Sequence, residues 1–151
     1  MGARLELTVD VVAGVEQTWD HVVDWERQSA WMLGTRVRAT SGGGVGVGAE
    51  IEAVTGVGML GIRVGVKDTM RITRWEAPYR CAVVHTGRVV RGTGEFQVQA
   101  RGEGRSAFIW SEDLDLPWGW LGRAGWLLVR PVFRAGVQLS LKRFARWVEA
   151  V

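Results

Sequence analysis

The sequence predicts an α+β fold: a curved, seven-stranded antiparallel sheet around a long C-terminal helix, with two short helices between strands 1 and 2. Three observations predict it. An apolar/polar alternation near the start gives way to a helical period at about residue 12, residues 34–116 read as extended almost throughout, and the helical period returns near residue 117. The connections between extended segments are short, which suits an antiparallel meander. Such a sheet cannot cover its own apolar face, and one long helix is available to do so, leaving room for a cavity between them.

Each element follows from its residues. Leu5, Leu7, Val9 and Val11 alternate with Glu6, Thr8 and Asp10, so residues 4–11 read as a half-buried strand. Val15, Trp19 and Val22 then fall four and three residues apart, an apolar stripe on a helix over about 14–24 with Glu16 in its first turn. A second helical turn covers Trp25–Trp31, and Thr35–Thr40 is the second strand before a glycine-rich turn at Ser41–Gly46. In Gly48–Thr55, Ile51 and Ala53 alternate with Glu50 and Glu52. A break at Gly56–Gly61 is expected to form a loop at the cavity mouth, with Met59 and Leu60 as apolar contacts. Arg63–Trp75 resumes as strand, and Arg80–Gly87, Val89–Arg101 and Ser106–Leu116 complete the sheet. Phe133, Val137, Leu141, Phe144 and Val148 form one helical stripe. Pro131 suits either the first turn of that helix or a kink after an upstream piece at about 119–129. Together these periods send Met70, Ile72, Phe96, Trp110, Phe133 and Val137 to a common interior.

Composition narrows the class. The chain has 151 residues, 47% apolar and 23% charged, which describes one globular domain over 1–151 and not a disordered chain. No apolar run approaches the ~20 residues of a transmembrane segment. The first residues hold no hydrophobic signal region, and Glu6 stands where a myristoylation signal wants Ser or Thr, so the expected compartment is the cytoplasm. With Cys81 alone no intrachain disulfide forms, and two histidines with one cysteine offer no structural zinc set; no metal and no cofactor are expected. Nine tryptophans suit a fold that lines a wide apolar surface. Through residue 30 six acids face Arg4 and Arg27, whereas from residue 121 six cations face Glu149. These oppositely charged segments are expected to pack near one another.

This order of elements resembles the START / polyketide cyclase (SRPBCC) superfamily with its helix-grip fold. The resemblance spans nearly the whole chain. It rests on Trp19 and Asp24-Trp25, on the glycine loop Ser41–Gly48 and on the run Met70–Pro78. His85-Thr86-Gly87 and Trp110-Ser111-Glu112 also carry it. It implies a hydrophobic cavity under the C-terminal helix. Members bind lipids, polyketides or other apolar molecules, and some catalyse cyclisation or dehydration. The superfamily has no universal catalytic residues, so the resemblance speaks for fold more than for reaction.

The candidate site is built from strand parity. Glu112 shares a face with Phe108, Trp110 and Leu114, and an interior carboxylate must be paired or hydrogen-bonded. It suits a general acid or a ligand-orienting group, against the commoner role of a structural ion pair with an arginine. His85 shares a face with Cys81 and Val83 and is its natural proton-handling partner. Glu112 and His85 are therefore the candidate catalytic pair. The expected ligand contacts are Met59, Met70, Ile72, His85, Phe96, Phe108, Trp110, Glu112, Phe133 and Val137. Gly56–Gly61 matches the dinucleotide pattern G-x-G-x-x-G, but strand follows it where a phosphate-binding helix should start, so the match is rejected. The apolar cluster Trp118, Trp120 and Trp126 reads as core or cavity gate ahead of membrane contact, because only Arg123 and Arg130 flank it.

Three functions compete. The leading one is binding or transport of an apolar or amphipathic small molecule, such as a lipid or polyketide, between helix and sheet. An enzyme of the polyketide cyclase or dehydrase type would need a convergent acid and base on the bound ligand. A protein- or RNA-interaction module would use the basic ladder Arg130, Arg134, Gln138, Lys142 and Arg146 and leave the cavity small. No DNA partner is expected, because the base-contacting patterns are missing.

Overall fold

The computed structural model describes residues 2–59, 61–116 and 118–150; the side chains of residues 57–59 and 62–64 are also outside the described residues, so the expected contacts of Met59 and Leu60 fall beyond it. Strand β1 (Gly2–Val11) leads into helix α1 (Val15–Val22) and a short 3-10 helix (Trp25–Ala30). Strands β2 (Thr35–Ser41), β3 (Glu50–Met59), β4 (Ile62–Glu76), β5 (Arg80–Thr86), β6 (Arg91–Ala100) and β7 (Ser106–Asp115) follow, and helix α2 (Trp120–Glu149) closes the chain. The seven strands form one antiparallel sheet in the order β1-β7-β6-β5-β4-β3-β2. β2 to β7 are a plain meander. The two short helices carry the chain from one edge of the sheet to the other.

The core lies under the second half of α2. Leu141, Phe144 and Val148 are fully buried there with Val11, Val22 and Phe108. Trp31 sits at its centre, edge-on to Phe144 at 5.2 Å and to Phe108 at 5.7 Å between ring centroids. The acidic N-terminal stretch and the basic helix meet here. The Val12 N–H donates to the Glu149 carboxylate, and the Arg143 guanidinium donates to the Ala30 carbonyl.

Three sequence expectations are corrected. Residues 56–59 are not a loop: β3 runs to Met59 and pairs with β4 through Met59↔Ile62. Within the expected break Gly56 pairs with Gly65 and Gly58 with Arg63, and Gly56 N–H donates to the carbonyl of Gly34. Gly34 itself lies at φ +61, where a Cβ would come within 3.2 Å of the Gly56 carbonyl oxygen. Second, α2 is one helix and not two pieces, with Pro131 inside it. Leu127 and Pro131 are both exposed, so water can serve the carbonyl that proline leaves without a donor. Third, the tryptophan cluster is not core: Trp118 and Leu128 are each 81% exposed, and Trp120, Leu121 and Leu127 are also open to solvent. The first fully buried residue on α2 is Val137, and most of its earlier turns face solvent. Trp126 is half-buried against Phe133, at 5.8 Å between rings. Among the described residues no helix is long and apolar enough to cross a membrane.

Candidate functional site

A cavity of about 590 Å³ separates the middle of α2 from the inner face of the sheet. Strand parity builds its wall. Asp68 and Met70 on β4, Cys81, Val83 and His85 on β5, and Trp110, Glu112 and Leu114 on β7 all line it at every second residue. Phe133, Gly136, Val137 and Ser140 form the roof, one turn apart on one face of α2. Of the expected ligand contacts, Met70, His85, Phe96, Trp110, Glu112, Phe133 and Val137 line this space.

Ile72 and Phe108 do not. Both point inward as parity requires, but they lie where the interior is already filled. Ile72 is 1% exposed, and its backbone bonds both ways to the loop over it, from Gly48 N–H and to the Ala49 carbonyl. Phe108 is packed beneath Trp31, Phe96 and Phe144.

One cluster of three charged side chains stands in this mainly apolar wall. The two ring nitrogens of His85 lie 2.9 Å from Asp68 Oδ1 and 2.9 Å from Glu112 Oε2. The Trp110 Nε1–H donates to Glu112 Oε1 at 2.9 Å. The His85 side chain is 2% exposed, and those of Asp68 and Glu112 are 18% and 13% exposed. Asp68 is the member that parity on β4 could have revealed, since it precedes Met70 by two residues. The His85–Glu112 contact is a different matter, because β5 and β7 are not neighbours. The two side chains meet over β6, where His85 pairs with Gly92 and Glu112 pairs with Gly94. A Cβ on Gly94 would come within 2.8 Å of Glu112 Oε2, so this glycine makes the seat for the carboxylate.

The electrostatics follow from the geometry. With both bonds to His85 made, the three groups share two protons and carry a net charge of −1, whichever atom holds each proton. Burial is the largest single influence on His85 and disfavours its charge, but the hydrogen bonds and charges of Asp68 and Glu112 together outweigh it. The imidazole pKa is raised to about 10, so the ring is an imidazolium at neutral pH. A group raised in the folded state stabilises the fold fully below its unfolded pKa of about 6.5 and loses that contribution as pH climbs through the folded value. Unfolding free energy should therefore fall by about 1.4 kcal/mol per pH unit between pH ~6.5 and ~8.5, below the range where Cys81 ionises in the unfolded chain, a slope read by urea denaturation across that window. A flat profile there would mean that the folded cluster holds no more protons than the same groups do in the unfolded chain. Cys81 also lines the cavity; burial, with Glu95 nearby, pushes its thiol up to about 12, so it is no nucleophile at neutral pH.

Comparison with known proteins agrees with this architecture. Residues 2–149 match the model of a family described as polyketide cyclase / dehydrase and lipid transport. An uncharacterized protein of Mycobacterium tuberculosis is 30% identical over 87 residues, a match covering 57% of this chain and 58% of that protein. Among solved structures, the Zhui aromatase/cyclase of a Streptomyces species superposes with a TM-score of 0.75 at 16% identity, covering 99% of this chain and 94% of its own. A Thermus thermophilus protein superposes with a TM-score of 0.73 at 15% identity over 98% of both chains. With its helix-grip fold and a family match over nearly its full length, the chain belongs to the polyketide cyclase / dehydrase and lipid transport family.

Proposed function

We propose that this protein binds an amphipathic small molecule, holding its apolar body between α2 and the sheet and its polar end at Asp68, His85 and Glu112. The observation that carries this reading is the cavity itself, about 590 Å³ with mainly apolar walls and one localised charged cluster. Ligand pockets commonly measure ~300–1,000 Å³ and pair apolar walls with a few placed polar groups. Family membership supports a lipid or polyketide-like ligand. An interaction module working through the basic face of α2 would have no use for a cavity of this size. Native mass spectrometry of protein purified from its own host tests the reading. A retained apolar molecule of a few hundred daltons is expected, and a protein that is empty and takes up no apolar probe would contradict it.

A second reading, a cyclase or dehydrase acting on the bound ligand, is favoured by the same cluster and by the aromatase/cyclase among the structural neighbours. The chemistry weighs against it. An imidazolium with a pKa of about 10 surrenders its proton reluctantly at neutral pH, whereas efficient general acids sit near the working pH. Glu112→Gln separates the two. A binder changes affinity by about 1–3 kcal/mol. A catalytic acid instead loses ~10²–10⁴-fold in turnover with affinity nearly intact.

A further inference from the structure

Resting on the binding reading above, we infer that the cavity selects neutral or cationic amphiphiles whose head group donates a hydrogen bond, such as an alcohol, phenol or amine, and rejects anionic ones such as free fatty acids. Two independent features of the wall lead there. The first is the bookkeeping of donors and acceptors. The N–H groups of His85 and the indole N–H of Trp110 are all engaged within the cluster. A carboxylate offers about four acceptor sites, and the bonds within the cluster use only two at Glu112 and one at Asp68. Towards a ligand the cluster can accept but has no proton to give. A head group that only accepts would leave both sides unpaired in a dry site.

The other polar side chains on the wall bond away from the cluster, although the Ser140 hydroxyl keeps its own O–H proton. Thr35 Oγ1 donates to the Leu33 carbonyl and meets Thr55 Oγ1 at 3.0 Å, Gln28 Nε2 donates to the Val22 carbonyl, and Ser140 Oγ accepts the Leu33 N–H.

The second feature is charge. The cluster carries −1 by proton count, and among the described lining residues there is no lysine or arginine to offset an incoming anion. Glu95 is the one further charged residue on this wall, also an acid, and it faces Arg80 at 3.4 Å. A carboxylate brought to this end of the cavity would thus meet like charge with its hydration removed. Its binding would require an extra proton taken up by the ligand or by the cluster, and at neutral pH that weakens affinity.

The test uses three ligands with the same tail. Nile red, a neutral fluorescent probe, is bound to the wild-type protein at pH 7.5 and displaced with decanol, decylamine or decanoate. Decanol and decylamine should displace it, with decanoate at least ~10-fold weaker than decanol. In Asp68→Asn/Glu112→Gln, checked for folding by circular dichroism, that gap should close to within ~3-fold through tighter decanoate binding. Decanoate competing as well as decanol on the wild-type protein would overturn the inference and leave the binding reading standing. Failure of the wild-type protein to bind Nile red or any of the three would overturn both.

Discussion

His85→Phe should destabilise the fold by about 3–5 kcal/mol at pH 7.5, the usual cost of stranding a buried charge. The substitution keeps an aromatic ring of similar size, so the loss comes from electrostatics more than from volume. Asp68 and Glu112 would be left as two carboxylates on an apolar wall, and only Glu112 would keep a donor, the Trp110 indole N–H. Replacing the whole cluster, in Asp68→Leu/His85→Phe/Glu112→Met, should recover stability to within ~1–2 kcal/mol of wild type, since buried ionic groups often exchange for apolar ones at little cost. The alkaline loss of stability assigned to His85 should vanish in both variants. Urea denaturation of the pair decides the matter. A single variant costing less than ~1 kcal/mol would show that the cluster is not an ionic unit.

The largest effect on binding should come from Gly136→Phe, a loss of about 100-fold or more in Nile red affinity. Gly136 lines the cavity and lies between Phe133 and Ser140 on the inward face of α2, and a Cβ placed there meets no atom within 4 Å. A phenylalanine side chain should therefore extend into the ligand space. The fold should not suffer, because a helical glycine is itself unfavourable by roughly 0.5–1 kcal/mol. Gly125→Phe is the control. Gly125 also has open space around its Cβ and lies on the same helix, but it is exposed and does not line the cavity. Equal losses in both variants would place the binding site elsewhere.

What the sequence revealed and what it hid divides along a physical line. Period and parity report which way a side chain points, and they were sufficient for the seven-stranded sheet apart from the β3–β4 turn, for the stripe of α2 beyond Pro131 and for the inward set Met70, Cys81, His85, Trp110, Glu112 and Val137. They do not report what lies opposite. Ile72 and Phe108 point inward like Met70 and Trp110, yet they meet packed core where the others meet open space. Trp118 and Trp120 look like core by composition, but no element covers the first turns of α2. The His85–Glu112 bond spans an intervening strand and depends on Gly94, which has no side chain where the Glu112 carboxylate lies. That contact joins residues 27 apart across non-adjacent strands, and no local pattern encodes it. Asp68 was within reach of the same parity that selected Met70.

The indole N–H resonances of the nine tryptophans offer the most direct test, read in a ¹H–¹⁵N spectrum as decanol is added. The Trp110 N–H bonds to Glu112 at the charged end of the cavity, whereas Trp118 and Trp120 stand in solvent on the other side of the question. A ligand in the cavity should shift Trp110 saturably while leaving Trp118 and Trp120 in place. Shifts confined to Trp118 and Trp120, with Trp110 unmoved, would put the ligand on the exposed turns of α2 and contradict a binding site between helix and sheet.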